Sequence, residues 1–501
     1  MRRAGKELKE AMRTPSTGPE VDSFYHLANV PMQHLYCRGL SCFAARERNP
    51  ERWRLALAQS PPVHCLGKCY DSPSSTDDES EPNIETRCPQ PIILQGVADR
   101  SALDLDSYRA SGGYEALKAA LRRPPKAIID AVERSQLRGR GGAGYLAGLK
   151  WRAVEAQPIG EKYVVANADE GDHGSYIDRF LMERVPHRLL EAMLLAGYGV
   201  GARKGTIYLR KEYPDSLVAL ERALEEASQA GLLGRDVLGS GFGFEIEIFV
   251  GQGSYVCGEE TSLLNSIEHR RPEVRARPPF PTERGLFGRP TLVNNVETLA
   301  SVPWIVLHGA DAYAAIGTSS SCGTKAVSLN SLFQRPGLYE VEFGVPLRWI
   351  FDELGGGLKS GSIKAAIVGG PLAGLIHPSE FDTPLDFDAM RAIGASVGHG
   401  GIVAFSQDTR MIDLLAHVFA FGAHESCGKC TPCRLGARAL QRRFAHCASG
   451  GSLTPAEAEE ARATLAALRA TSLCGHGTGL GEFADSLIAK FGKELEPCFA
   501  S

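Results

Sequence analysis

Three cysteines fall within seven residues of the stretch ESCGKCTPCRLG (Glu425–Gly436), and no other feature narrows the possible folds of this chain as much. The C-x2-C-x2-C spacing of Cys427, Cys430 and Cys433 lets three thiolates converge from a single turn of chain, with Gly428 and Pro432 suiting the tight path. A fourth ligand must then come from elsewhere. Cys474, in SLCGHG beyond the helical pattern AEAEEARATLAALRA, is the natural candidate. Cys447 and Cys498 compete with it but lack its glycine-rich turn. Four thiolates are what a [4Fe–4S] cluster requires. Zinc sites more often pair their ligands as two C-x2–4-C elements, so a zinc knuckle is the weaker alternative.

The other clustered cysteines lie near the start. Cys37 and Cys42 form C-x4-C, and Cys65 and Cys69 form C-x3-C. The chain holds 13 cysteines in all. Its opening, MRRAGKELKEAMRTPSTGPE, has basic residues but no apolar core behind them, which is not the pattern of an export signal. Glu7, Glu10 and Glu20 argue against a mitochondrial leader. Thiols bunched in a chain without export signal point to metal or iron–sulfur ligation in a reducing, cytoplasmic setting rather than to disulfides. Cys88, in RCPQP, is a spare thiol.

A length of 501 residues predicts several packed domains. Net charge is -4, which gives no electrostatic case for nucleic acid or an anionic membrane. No apolar run approaches the roughly 20 residues of a spanning helix, so direct membrane insertion is not expected. Residues 1–30 read as a mobile lead-in and residues 31–98 as a first cysteine-bearing module. Within that module Asp71–Glu85 is acidic and rich in Ser and Pro, and reads as an exposed loop. From about residue 110 to 323 short β-branched runs alternate with helical patterns, which predicts an α/β layer. The runs are 163–168, 206–210 and 244–250; helices are expected near 187–198 and 215–230. Residues 324–408 read as a compact α+β domain and 409–501 as a helical bundle.

Four segments of the α/β region carry candidate ligand groups. LRGRGGAGYLAGLKW (Leu137–Trp151) is glycine-rich, with backbone N–H groups free to converge on an anion and Lys150 adding a cation. Its G-x-G-x-x-G spacing is not a dinucleotide fingerprint, because the loop follows a helical segment and not a strand. NADEGDHG (Asn167–Gly174) follows the first strand. GQGSYVCGEETSLLNS (Gly251–Ser266) follows the third, with Glu259 and Glu260 opening a helix. TLVNNVETLA (Thr291–Ala300) sets Asn294 and Asn295 before another helix. Any one of these could be an ordinary helix cap or solvated loop; their joint occurrence is what counts.

With GRGGAG, LKW, NADE, CGEETSLL, RPPFP, NNVETLA and ESCGKCTPCR in this order, the chain resembles the NADH-binding flavoprotein subunit of complex I. It equally resembles the relatives of that subunit in NAD-reducing hydrogenase and NAD-dependent formate dehydrogenase. The likeness covers roughly residues 114–495. It implies an FMN- and NAD(H)-binding α/β domain, a ubiquitin-like domain of the SLBB type and a helical bundle with a [4Fe–4S] cluster. It implies that Gly139, Arg140, Gly141 and Lys150 hold the FMN phosphate region, and that Asn167, Asp169, Tyr255, Gly258, Glu259, Asn294 and Asn295 line the flavin. Glu170, Asp172, Glu260, Arg277 and Phe280 would face NAD(H), with Tyr145 stacked on adenine. Cys37, Cys42, Cys65 and Cys69 look like the ligands of the thioredoxin-like [2Fe–2S] module that partners the flavoprotein, here in a trimmed form; a remnant or a zinc site is the alternative. The family usually has Phe-Pro-Thr where this chain has Tyr145, Leu146 and Ala147, and Pro where it has His173. Asp172 replaces a complex I glutamate and is more typical of the hydrogenase and formate dehydrogenase relatives. These departures bear on the fit of NAD and on a preference for NAD over NADP.

The expected activity is hydride exchange between NAD(H) and FMN, followed by single-electron transfer through iron–sulfur clusters. The partners would be a thioredoxin-like iron–sulfur subunit and a catalytic hydrogenase, formate dehydrogenase or complex I subunit. A non-catalytic, cluster- or zinc-binding assembly scaffold is the competing class; a yellow-brown colour with flavin absorbance separates the two.

Overall fold

The computed structural model describes residues 25–158 and 160–499, so the first part of the lead-in assigned to residues 1–30 lies outside the described residues. The remainder of that lead-in is packed. Tyr25 and Leu27 are buried, and the Tyr25 hydroxyl donates to Ser266 Oγ at 3.1 Å. Among the described residues no helix is long and apolar enough to cross a membrane.

The protein is mixed α/β, and the described residues hold ten strands. They are β1 (Asn83–Thr86), β2 (Tyr163–Ala168), β3 (Lys204–Leu209), β4 (Glu245–Val250), β5 (Thr291–Asn295), β6 (Thr324–Leu329), β7 (Gly337–Glu342), β8 (Ile363–Val368), β9 (Leu375–Ile376) and β10 (Gly401–Ser406). The chain divides into two compact units. The first comprises Gln90–Glu170 and Asp178–Thr324 with the described residues before Met32; the second comprises Met32–Pro89, Gly171–Ile177 and the chain from Lys325.

In the first unit a sheet of order β4-β3-β2-β5 is parallel at every pairing. Parallel strands need helical crossovers. The helices Pro186–Val200 and Pro214–Gln229 are two of these, and the first is buried on nearly every side. A parallel sheet sends all its carboxyl ends to one edge, the place where α/β folds take ligands. Register puts Asn167 opposite Asn295 and Ala166 opposite Asn294 at that edge. The glycine loop runs between the helices Pro125–Arg134 and Ala147–Glu155, so a helix does precede it.

These two helices cross at Gly148, where a Cβ would sit 2.3 Å from Glu133 Cα. No side-chain rotation relieves a clash with backbone. Alanine would gain about 1 kcal/mol of helix propensity, against about 1–3 kcal/mol for overpacking. A Gly148→Ala variant is therefore expected to be less stable by up to about 2 kcal/mol net in urea unfolding.

The second unit is built on a six-stranded sheet of order β1-β7-β6-β10-β8-β9. Alternate residues of a strand face opposite sides, and here both sides are covered. Ala365, Ile367, Val403 and Phe405 share an apolar cluster with Leu415, Phe419, Leu440, Phe444, Leu465, Leu480 and Phe483 from the C-terminal helices. Ala366, Val368, Ile402 and Ala404 join Leu347, Ile350, Phe351 and Leu354 in a second cluster.

The cysteine-bearing segment belongs to this unit. Leu40 and Phe43, from its short helix Leu40–Ala44, lie in the same cluster as the C-terminal helices. Among the described residues it holds no sheet of its own. Two isolated bridges, Cys37 with Val63 and Tyr36 with Ser75, are its internal pairing, and β1 pairs in parallel with β7. The expected exposed loop at Asp71–Glu85 is thereby corrected: Ser72, Ser74 and Ser75 are buried, and residues 83–85 are strand. An available partner edge overrode the weak strand propensity of an acidic, Ser-rich stretch.

Candidate functional site

At the carboxyl edge of the first sheet, neighbouring asparagines are aimed at opposite faces. Asn294 Oδ1 accepts from Trp151 Nε1 at 2.9 Å, on the side of the helix Ala147–Glu155. Asn295 turns the other way. Its Nδ2 donates to Asp178 Oδ2 at 2.6 Å, and its Oδ1 caps the following helix by accepting from Thr298 N at 3.1 Å. Asn167 Nδ2 donates to Gly258 O at 2.8 Å, and its Oδ1 accepts from Asp169 N at 3.2 Å. Tyr255 and Gly258 form a half-buried 3-10 turn, after which Glu259 caps a helix by accepting from Thr261 N at 2.9 Å and Ser262 N at 3.0 Å.

The glycine loop packs its backbone against this edge. A Cβ on Gly141 would lie 2.8 Å from Asn295 Cβ, and Gly142 and Gly144 hold φ of 145° and 64°, which favour glycine. Lys150 Nζ donates to Glu260 Oε2 at 2.8 Å and to Val293 O at 3.1 Å. Arg277 Nη1 stands 3.5 Å from Glu260 Oε1 and 3.7 Å from Glu259 Oε1, so Glu260 lies between two cations and Arg277 between two carboxylates. Tyr145 is 59% exposed and Phe280 50% exposed, leaving two aromatic faces open. A backbone cradle, amide groups along a strand edge and nearby cations form a donor set that fits a phosphorylated, hydrogen-bonding ring such as FMN. Open aromatic rings suit stacking on a nucleotide base.

Two expected residues have their charged groups engaged by partners inside the first unit, and a third lies in the second unit. The Arg140 guanidinium is buried, donating to Tyr313 Oη and to Cys322 O at 2.8 Å each, while its backbone N–H donates to Thr298 Oγ1. It props the loop from beneath. Glu170 is fully buried. Its carboxylate accepts from Asp178 N, Arg179 N and the Tyr213 hydroxyl, at the start of the helix Ile177–Arg184. Asp172 belongs to the second unit, where its Oδ2 lies 3.7 Å from His399 Nδ1 and its carbonyl accepts from Cys65 Sγ at 3.7 Å. Residue type was legible in each case; burial and direction were not.

Two cysteine groups lie in the second unit. Cys427 and Cys433 are 7% and 5% exposed, and Cys430 and Cys474 are half-buried. Gly428, at φ 79°, turns the chain between the first two thiols. Cys474 is the N-cap of the helix Gly475–Phe491, brought in by Gly477, where a Cβ would stand 3.3 Å from Cys433 Cβ. The Cys433 thiol is pushed up to about 12, chiefly by burial, with Cys430, Cys474 and Cys427 close enough to raise it further and a Ser426 hydrogen bond opposing. Cys447 and Cys498 hydrogen-bond to each other. Four converging thiols fit a cubane cluster.

Cys37, Cys42, Cys65 and Cys69 are all buried. Cys65 Sγ lies 3.9 Å from Cys69 Sγ, and Cys65 holds φ 60°, an uncommon conformation for a residue with a side chain. Gly39 N donates to Cys37 Sγ at 3.3 Å and Ser74 N to Cys42 Sγ at 3.5 Å. The Cys42 thiol is drawn below its usual range by hydrogen bonds, first from Cys37 and then from Ser74. Backbone N–H groups aimed at sulfur are what an iron–sulfur ligand set uses to stabilise thiolate.

Sequence reasoning passed over Asp178, Trp151, Ser426 and Ser74, which orient Asn295, Asn294, Cys433 and Cys42. Trp151 and Ser426 sit within the quoted motifs, and their polar atoms were the available signal. Asp178 gave none, because it reaches Asn295 only through the fold.

Comparison with known proteins follows the same two regions. Residues 132–304 match the Nuo51 FMN-binding domain, and residues 413–498 match the NADH-ubiquinone oxidoreductase-F iron–sulfur binding region. The chain is 40% identical to the HndC subunit of the NADP-reducing hydrogenase of Solidesulfovibrio fructosivorans over 78% of its own length and 80% of that protein. It is 38% identical to the NADH-quinone oxidoreductase F subunit of Escherichia coli (strain K12), over 82% of its length and 94% of that protein. A chain in the crystal structure of an NAD+-reducing [NiFe]-hydrogenase superposes with a TM-score of 0.83 at 30% identity, covering 96% of this chain and 87% of the other.

Proposed function

Because the chain belongs to the family of NADH-quinone oxidoreductase F subunits and their hydrogenase counterparts, we propose that it is the NAD(H)-binding flavoprotein subunit of a multi-subunit oxidoreductase. FMN, when bound, supplies hydride exchange with nicotinamide and single-electron exchange with iron–sulfur clusters. The protein supplies binding and placement. The loop backbone from Gly139 to Gly144 cradles the phosphate, and Lys150 neutralises it in competition with Glu260. Asn167, Asp169, Tyr255, Gly258, Glu259, Asn294 and Asn295 hold the ring and its tail. Tyr145 and Phe280 offer faces to NAD(H), and Arg277 sits poised between Glu259 and Glu260 for its phosphates. Cys427, Cys430, Cys433 and Cys474 hold the [4Fe–4S] cluster, and Cys37, Cys42, Cys65 and Cys69 a [2Fe–2S] cluster.

One observation carries the reading: the register that sets Asn167 beside Asn295 at the carboxyl edge, with the Gly141 backbone packed against them. A fused cysteine segment favours a soluble hydrogenase- or formate dehydrogenase-type partner over complex I, and a cytoplasmic location. The test is cofactor content of anaerobically purified protein. FMN and iron equal to a [4Fe–4S] plus a [2Fe–2S] cluster are expected, with flavin bleached by NADH. Protein without flavin and iron after reconstitution would refute the reading.

A further inference from the structure

In the second unit a line of aromatic rings joins the residue before Cys65 to one two residues after Cys474. His64 is the residue before Cys65. Its ring meets Phe421 edge-on at a centroid distance of 5.0 Å and stacks on His173 at 5.6 Å. Phe421 touches His173 at 4.4 Å and faces His476 at 6.4 Å. His476 stands two residues after Cys474, in the first turn of the helix that Cys474 caps. The rings are fixed. His476 Nε2 pairs with Gly422 O at 2.8 Å; a carbonyl only accepts, so Nε2 carries the proton, and the imidazole is tied to the residue beside Phe421. His173 Nδ1 accepts from Leu40 N at 3.1 Å, next to the Gly39 that donates to Cys37. Phe421 is 1% exposed and His173 1%. Nothing in the flavin chemistry uses these residues.

We propose that the two clusters exchange electrons directly within this unit, with Phe421, His64 and His476 as the intervening medium. The inference rests on the [2Fe–2S] and [4Fe–4S] assignments above. One electron crosses; the centre held by Cys65 and its companions is oxidised by one equivalent, and the centre held by Cys474 and its companions is reduced by one. No bond or proton changes at the rings. Their role is positional: tunnelling decays less steeply through packed atoms than across a gap, and Phe421 fills the space between the imidazoles. The N-terminal centre is thereby a reservoir coupled to the main path and not an isolated store.

The experiment uses the full-length holoprotein under anaerobic conditions. A single-electron equivalent is injected by photoreduction, and redistribution between the two cluster signals is followed by rapid-freeze EPR. Phe421→Leu is expected to slow redistribution about tenfold, because the lost ring leaves a cavity that neighbours refill only in part. Iron content and both line shapes should be unchanged, and Phe421→Tyr should restore the rate. Phe419→Leu is the control: Phe419 packs on Phe444 at 4.8 Å, on the same helix but away from the line. Redistribution in Phe421→Leu at the unmutated rate, or slowed equally in Phe419→Leu, overturns the proposal. Holoprotein with the [4Fe–4S] signal but no [2Fe–2S] signal overturns the assignment it rests on, and the proposal with it.

Discussion

A Cys430→Ser variant is expected to lose the [4Fe–4S] EPR signal and all electron transfer to the partner, while NADH-dependent ferricyanide reduction persists in part. The choice of Cys430 matters. Cys433 lies in the apolar cluster of the C-terminal helices, so a hydroxyl there would disturb packing as well as ligation. Cys430 is half-buried and only packs against the outside of that cluster, so its replacement disturbs the packing less. Serine offers a hard, protonated oxygen where the cluster iron takes a soft thiolate. The flavin residues belong to the first unit and its own sheet, so flavin content should survive, and ferricyanide can take electrons from reduced flavin. Partner reduction at the unmutated rate would place this cluster off the path.

The second large effect is expected at the glycine loop. In Gly141→Ala the new methyl would begin 2.8 Å from Asn295 Cβ. The neighbour cannot yield: Asn295 is fixed in a strand register, bonded to Asp178 and capping the next helix. The loop must move instead, and a misplacement near 1 Å costs on the order of a hundredfold in rate. Purified variant should contain little FMN, regain it only at raised FMN concentration, and show NADH:ferricyanide turnover lowered about a hundredfold. Both cluster signals should persist, because their cysteines lie in the other unit. Full flavin occupancy with normal turnover would show that the loop backbone does not cradle the cofactor.

What could be seen in the sequence was what local spacing encodes. Strands β2 and β3 announced themselves as largely apolar runs because both faces of a central parallel strand are buried, and the edge strand β4 by its alternation of charged and apolar residues. Three thiols of the 427–433 triplet needed one turn of chain to meet, and Cys474 is returned to them by two helices, Arg438–Ala448 and Pro455–Thr471. Elements that depend on a distant partner were silent. TLVNN is strand because β2 offers an edge for it, and NIET is strand because β7 does. Glu170 and Arg140 show the same limit at the level of side chains. Each carries a charge suited to a nucleotide, and in each that charge is taken up by buried partners that the sequence does not announce. A motif gives the chemical type at a position; only packing decides which way it points.

The pairing of β1 with β7 has a bearing on how such a chain can be cut or rearranged. A version starting at residue 90 would bare the Gly337–Glu342 edge as a row of unmet N–H and C=O groups on a largely buried strand, an invitation to sticky self-association. It would also strip Leu40 and Phe43 out of the apolar cluster beneath the C-terminal helices. The leading cysteine segment is thus no detachable cassette. Swapping it between homologous chains should succeed only when the receiving strand and the hydrophobic seat travel with it.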